Sequence, residues 1–247
     1  MVKDLFYKYF LISLIGGIAG YFMLSSVNLY LFYPQAFYSQ NFNQDQKPSV
    51  SITPMVTVSN AGWENLAQKN SLSSVGIQVF QNNRLIKQGN GLVVSSDGLV
   101  VTVADLALSG AIYQIFHEDK IIKATAEAVD FKLNLLLLKS QTSYASVADF
   151  DSIGNIKPGQ DAVIIGKIVD LSRPILTVQR GLINYITEKA ITIDAIPNNF
   201  LAGFGVINSN GRIIGIVSIK NARIVLIKSS LIKNFFENYL SWGENRF

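Results

Sequence analysis

Short apolar runs rich in Val and Ile recur about every ten residues from Val75 onward. They cover residues 75–80, 91–95, 99–103, 112–116, 135–139, 161–166, 177–186, 191–194, 205–208, 212–218 and 223–227. Turn segments separate them, and their Asn, Asp and Gly residues supply the positive φ that tight turns need: 81–84, 95–98, 117–120, 157–160 and 208–211. No long helical pattern interrupts the series, so the pattern predicts an all-β fold rather than alternating strands and helices.

The series of strands divides at a polar stretch, residues 140–155. This division predicts two antiparallel β-barrels of about six strands each, the first over 72–145 and the second over 150–228. Residues 229–240 carry apolar side chains at helical spacing after Ser229 and Ser230, either of which can cap a helix. We therefore expect a C-terminal helix packed on the barrels, within a globular part that spans 72–247.

The N-terminal region reads as a membrane anchor. Residues 9–33 carry no charge, and a helix of this length reaches roughly 37 Å, enough to cross a bilayer core with some tilt. Lys3 and Lys8 precede it, which places residues 1–8 in the cytoplasm and the rest of the chain outside. A cleaved signal peptide is disfavoured because its apolar part is about 7–15 residues long. The prediction is a single-pass cell-membrane protein in which residues 34–71 form a tether and an edge segment.

Composition narrows the classes of function. The 247 residues are 49% hydrophobic and 15% charged, which argues against a disordered chain. The net charge is only +4 and the basic residues are scattered, so nucleic-acid binding is not indicated. Without cysteine there is no disulfide and no thiolate chemistry. The acidic residues show no metal-ligand spacing and the glycines form no phosphate loop, so we predict neither a metal nor a cofactor.

Five segments carry motifs in a fixed order: GNGLVVSSDGLVVTVADLA (89–107), AVDFKLNLLLLK (128–139), IKPGQDAVIIG (156–166), TVQRGLI (177–183) and ITIDAIPNNFLAGFGVINSNGRIIGI (191–216). Together they resemble the trypsin-like serine proteases of the HtrA/Deg (high-temperature-requirement) family. The resemblance covers about residues 72–240. It implies a fold of two six-stranded barrels, an ancestral serine endopeptidase of the bacterial envelope, and a capacity to form homo-oligomers. A PDZ domain often follows the protease domain in the family, and we expect none in this chain.

The same resemblance locates the reactive positions, and each carries a residue unsuited to the family's chemistry. The histidine position falls on Asp105, the aspartate position on Asn134 and the serine position on Ala202. Ala202 offers no nucleophile, and a carboxylate at Asp105 is a much weaker base than an imidazole. Phe200 replaces a glycine of the loop whose N–H groups should bind the oxyanion.

Other residues offer no substitute set of catalytic groups. His117 is the only histidine, and its place in the turn 117–120 predicts a solvated side chain. Ser95, Ser96 and Ser109 lie near turns without a second base. The favoured hypothesis is therefore an inactive pseudoprotease that binds a peptide or protein partner in the former substrate groove. The alternatives are an active serine endopeptidase with a displaced site, and an envelope scaffold whose barrels only pack against neighbours.

Overall fold

The structure, a computed structural model, describes residues 60–151, 156–170 and 173–244. The predicted anchor, residues 9–33, and most of the predicted tether lie outside these ranges. Within them, no helix is both long enough and apolar enough to cross a bilayer.

The first six strands form a closed antiparallel barrel. They are β1 (Ser74–Gln81), β2 (Arg84–Val93), β3 (Leu99–Val103), β4 (Ile112–His117), β5 (Lys120–Asp130) and β6 (Leu135–Ser140). Their order around the barrel is β1-β2-β3-β6-β5-β4, with β1 bonded to β4 to complete the ring. The four leucines of β6 at 135–138 are fully buried because one face of this strand fills the barrel and the other lies under neighbouring parts of the fold.

The remaining six strands form a second closed barrel. They are β7 (Asp161–Asp170), β8 (Arg173–Ile186), β9 (Ala190–Asp194), β10 (Gly205–Ile207), β11 (Ile213–Lys220) and β12 (Arg223–Lys228), in the order β10-β11-β12-β9-β8-β7. The prediction of an all-β fold with two six-stranded barrels is therefore confirmed. One strand, β5, lies where no apolar run was predicted, between the runs at 112–116 and 135–139.

Two-residue turns close the hairpin β1–β2 of the first barrel and the hairpin β11–β12 of the second. Asn82 and Asn83 have φ of 51° and 60° between the paired ends of β1 and β2. Two consecutive positive φ values define the turn whose twist matches that of antiparallel strands, and asparagine tolerates them well. The turn between β11 and β12 has the same form, although there Ala222 adopts a φ of 54° after Asn221.

One helix precedes the barrels and another follows them. Helix α1 (Asn60–Ser71) buries Trp63 and Ala67 in the core. The Nδ2 of Asn70, in the same helix, donates to the carbonyl of Gly211 at 3.0 Å, in a turn of the second barrel. Helix α2 (Ser229–Glu244) continues four residues beyond its predicted end and buries Ile232. One hydrophobic cluster contains side chains from both barrels, and the candidate site lies at this junction.

Candidate functional site

Asp105 and Asn134 lie at the ends of two paired strands of the first barrel. Asp105 belongs to a short 3-10 helix, Ala104–Leu106, that directly follows β3. Asn134 directly precedes β6 and has a φ of 59°, a left-handed conformation that asparagine tolerates better than most residues. Val103 at the end of β3 lies opposite Leu135 at the start of β6, so the residues just after β3 and just before β6 come into contact.

The side-chain amide of Asn134 is held by three hydrogen bonds. Its Nδ2 donates to Oδ2 of Asp105 at 3.0 Å and to Oγ of Ser218 at 3.1 Å. Its Oδ1 accepts from the backbone N–H of Asp105 at 3.1 Å. Asn134 is only 8% exposed and Ser218 is fully buried, so these bonds fix the amide against the inner side of the site. Asn134 therefore orients a carboxylate at the position where the family resemblance leads one to expect an imidazole.

The loop that carries Ala202 folds into a second short 3-10 helix, Asn199–Leu201. The backbone N–H of Phe200 donates to Oδ1 of Asn198 at 3.0 Å, which caps this helix. The N–H of Ala202 donates to the carbonyl of Asn199 at 3.3 Å. In a trypsin-type site the oxyanion is bound by the amides of the serine and of the residue two before it. The amides at these positions, those of Ala202 and Phe200, here form hydrogen bonds within their own loop.

Gly203 locks this loop onto the first barrel. Its φ is +83°, and a Cβ built there would lie 1.9 Å from the carbonyl oxygen of Asn90. Next to it, the backbone N–H of Asn90 donates to the carbonyl of Ala202 at 2.9 Å. Only glycine permits both this backbone conformation and this close approach.

Asn90 itself, on β2, connects the two barrels. Its side chain is 2% exposed, and its Oδ1 accepts a hydrogen bond from the backbone N–H of Lys167 on β7. Its backbone carbonyl accepts from Oγ1 of Thr102 on β3. With the bond from its N–H to Ala202, this one residue joins two strands of the first barrel to two segments of the second.

A cleft of about 460 Å³ lies between the barrels. It is lined by Ile86, Lys87, Gln88, Asp105, Leu106, Asn199, Phe200, Ala202 and Ile219. Asp105 and Ala202 share this cleft, and Asn134 lies behind Asp105. The structure thus brings together the positions singled out from the sequence.

Two strand edges border the cleft. Strand β11 has β10 on one side and β12 on the other. β10 pairs with it only as far as Ile216, so residues 218–220 of β11 pair only with β12 among the described residues. Across the cleft, β3 pairs with β2 only at Leu92 and Val93, while residues 84–92 of β2 pair with β1. Ile219 and Gln88, one from each segment, line the cleft. Beside the cleft, Gln88 and Ile219 therefore each have a strand partner on only one side among the described residues.

His117 differs from its prediction. It ends β4, its side chain is only 13% exposed, and its Nδ1 is buried without a hydrogen-bond partner among the described residues. Its ring meets that of Tyr144 edge to face, with centroids 5.1 Å apart. Burial, and then the nearby charge of Lys167, lower the pKa of His117 below its usual 6.5. The prediction of a solvated turn histidine is wrong, and His117 is not part of the cleft lining.

No group of three or more His, Cys, Asp or Glu side chains in the described ranges is arranged to hold a metal ion. The side chains that line the cleft supply one carboxylate, one ammonium group, two amides (Gln88 and Asn199) and apolar walls.

Comparison with known proteins agrees with this geometry. The family model described as a trypsin-like peptidase domain matches residues 89–216, a range that includes Asp105, Asn134 and Ala202. A solved structure, the crystal structure of Deg5, is similar with a TM-score of 0.62 and 19% sequence identity, over 70% of this chain and 91% of that chain. At this identity the likeness is one of fold. No curated protein matches the chain significantly in sequence.

Proposed function

This chain belongs to the trypsin-like peptidase domain family, and on that premise we propose that it is a pseudoprotease: a catalytically inactive member that binds an extended peptide segment of a partner protein in its cleft. The observation that carries the proposal is the state of the loop around Ala202. It has a methyl group where the family's chemistry needs a nucleophile, and its two candidate oxyanion amides donate within the loop.

The chemistry of acyl transfer explains why these features argue against catalysis. A serine hydroxyl attacks, an imidazole takes its proton, and backbone N–H groups aimed at the developing oxyanion stabilise the intermediate. Here the bonds of Phe200 and Ala202 to Asn198 and Asn199 must break before either amide can bind an oxyanion. Ser218 is the hydroxyl nearest to the Asn134 amide, but it is fully buried and accepts a hydrogen bond from it.

Peptide binding needs none of these groups. An extended peptide adds to exposed strand edges through main-chain hydrogen bonds, and pockets for alternate side chains supply specificity. Gln88 and Ile219, each of which pairs with a neighbouring strand on only one side among the described residues, line a cleft with apolar walls. This arrangement supports a binding role better than a purely structural one.

A fluorophosphonate probe, which labels activated serines, tests the proposal on the purified full-length chain. We expect no labelling of the wild type. We expect none of Ala202→Ser either, because the restored hydroxyl has no imidazole beside it and no free oxyanion amides. An active trypsin-like protease in the same buffer is the positive control. Labelling of the wild type that disappears when a single serine is replaced would establish the alternative, an active serine endopeptidase with a displaced site.

We also propose that residues 9–33 anchor this domain outside the cytoplasm. The support is their uncharged length and the lysines that precede them. A peptide-binding domain tethered in this way would meet partners at the outer face of the membrane.

A further inference from the structure

We infer that the cleft selects a peptide carrying an arginine side chain, and that Asp105 recognises it. This inference rests on the proposed peptide-binding function and specifies the chemistry of its ligand. Asp105 is the one acidic residue among those that line the cleft. Asp105 lines the cleft together with Phe200 and Ala202 of the facing loop.

The carboxylate is held in place without being neutralised. Its Oδ2 accepts from the amide of Asn134, which carries no charge. Asp105 is exposed, so the remaining acceptor positions of its carboxylate face the open cleft. In the part of the chain that the structure describes, no Lys or Arg donates to this carboxylate. A positioned carboxylate with spare acceptor capacity is complementary to a cationic donor.

Lys87, the other charged residue of the cleft, is bound elsewhere. Its ammonium group donates to the backbone carbonyl of Asp105 and to that of Ala107, the latter at 3.3 Å. These bonds hold the ammonium group of Lys87 on main-chain carbonyls and not on the carboxylate of Asp105. Lys87 therefore forms no hydrogen bond with the Asp105 carboxylate, which stays available to a ligand.

The walls favour arginine over lysine. Phe200 is 44% exposed at the cleft, and Ile86, Leu106 and Ile219 complete an apolar lining along which an aliphatic stem can pack. A guanidinium group stacks on an aromatic face and presents a planar fork that matches a carboxylate, whereas an ammonium group does neither as well. Phe200 and Asp105 line the same cleft, so one arginine can use both.

Immobilised decapeptides test the inference. Four sets have arginine, lysine, citrulline or glutamate at a fixed central position and random residues elsewhere, and each is probed with the fluorescently labelled full-length chain. We expect the wild type to bind the arginine set about tenfold more strongly than the citrulline set, the range for one charge-assisted pair. Asp105→Asn, which keeps the shape and the bond to Asn134, should abolish this ratio. Asp119→Asn removes an exposed carboxylate from the turn after β4 and should leave it unchanged.

A second variant tests the inference without changing Asp105. Phe200→Leu keeps every charge and should reduce the preference for arginine over lysine while preserving the preference for both over citrulline. Binding of all four sets equally, or a preference for arginine that survives Asp105→Asn, overturns the inference but leaves peptide binding intact. No binding of any set by the wild type overturns the inference and the proposed peptide-binding function together.

Discussion

Replacing Gly203 by alanine tests whether the loop of Ala202 is locked onto the first barrel. Gly203 has a φ of +83°, and the added Cβ would lie 1.9 Å from the carbonyl oxygen of Asn90 and 2.8 Å from Oγ1 of Thr102. The first neighbour is backbone, and the second is a buried hydroxyl already bonded to the same carbonyl. Neither can move aside without displacing β2 or β3.

The cost has three parts. A left-handed conformation costs a residue with a Cβ about 1–2 kcal/mol. Forcing an atom into a packed site costs about 1–3 kcal/mol more. Separating the loop from β2 would also break the bond between Asn90 N–H and the Ala202 carbonyl, worth about 1 kcal/mol. We therefore expect Gly203→Ala to lower the free energy of unfolding by about 4 kcal/mol in total.

Gly159→Ala is a matched control. Gly159 has a φ of +82°, and nothing lies within 4 Å of a Cβ built on it. This variant should lose only the conformational part, about 1–2 kcal/mol. The gain from a less flexible unfolded chain is the same for both substitutions and cancels in the comparison.

Urea unfolding followed by tryptophan fluorescence measures both values, because Trp63 is 7% exposed in the fold and becomes exposed on unfolding. We expect Gly203→Ala to lose about 2–3 kcal/mol more than Gly159→Ala. Equal losses for the two variants would refute the tight contact between the loop and β2.

Two further predictions concern His117 and the N-terminus. Burial and the charge of Lys167 lower the pKa of His117 in the folded protein, so the unfolded chain binds a proton at this residue more readily. The contribution of neutral His117 to the free energy of unfolding is therefore fully present above about pH 6.5, and it is lost as the pH falls below that value. His117→Gln should flatten this dependence in urea unfolding between about pH 7.5 and pH 5, and an unchanged slope would contradict it. Full-length protein should stay in membranes after an alkaline carbonate wash, while a variant lacking residues 9–33 should not. Release of the intact chain, or recovery of a shortened one, would count against an uncleaved anchor.

Strands buried on both faces could be predicted from the sequence, and one exposed strand could not. The leucines of β6 form an unbroken apolar run that only a doubly covered strand explains. In β5 most side chains are exposed or half-buried, and a register shift between Ala126 and Ala128 interrupts the alternation. A bulge reverses which residues face inward, so a period-two pattern cannot be read across it.

In the candidate site, too, some features could be predicted from the sequence and others could not. Motif resemblance was enough to select Asp105, Asn134 and Ala202, which the fold brings to one place. The inward bonding of the Phe200 and Ala202 amides could not be predicted, because it depends on backbone angles that a sequence does not specify. His117 was misjudged because it closes an apolar strand and packs on Tyr144, a contact between residues distant in the chain.

The bonds of Asn90 have a consequence for the kinetics of the peptide binding that we propose. Since this buried residue is hydrogen-bonded to both Lys167 and Ala202 of the second barrel, a rotation of one barrel against the other would break two hydrogen bonds together. The cleft is therefore preorganised, and a ligand need not supply free energy to close the barrels around it. Association should then proceed in one step without a slow conformational phase, and differences in affinity among peptides should appear mainly in their dissociation rates.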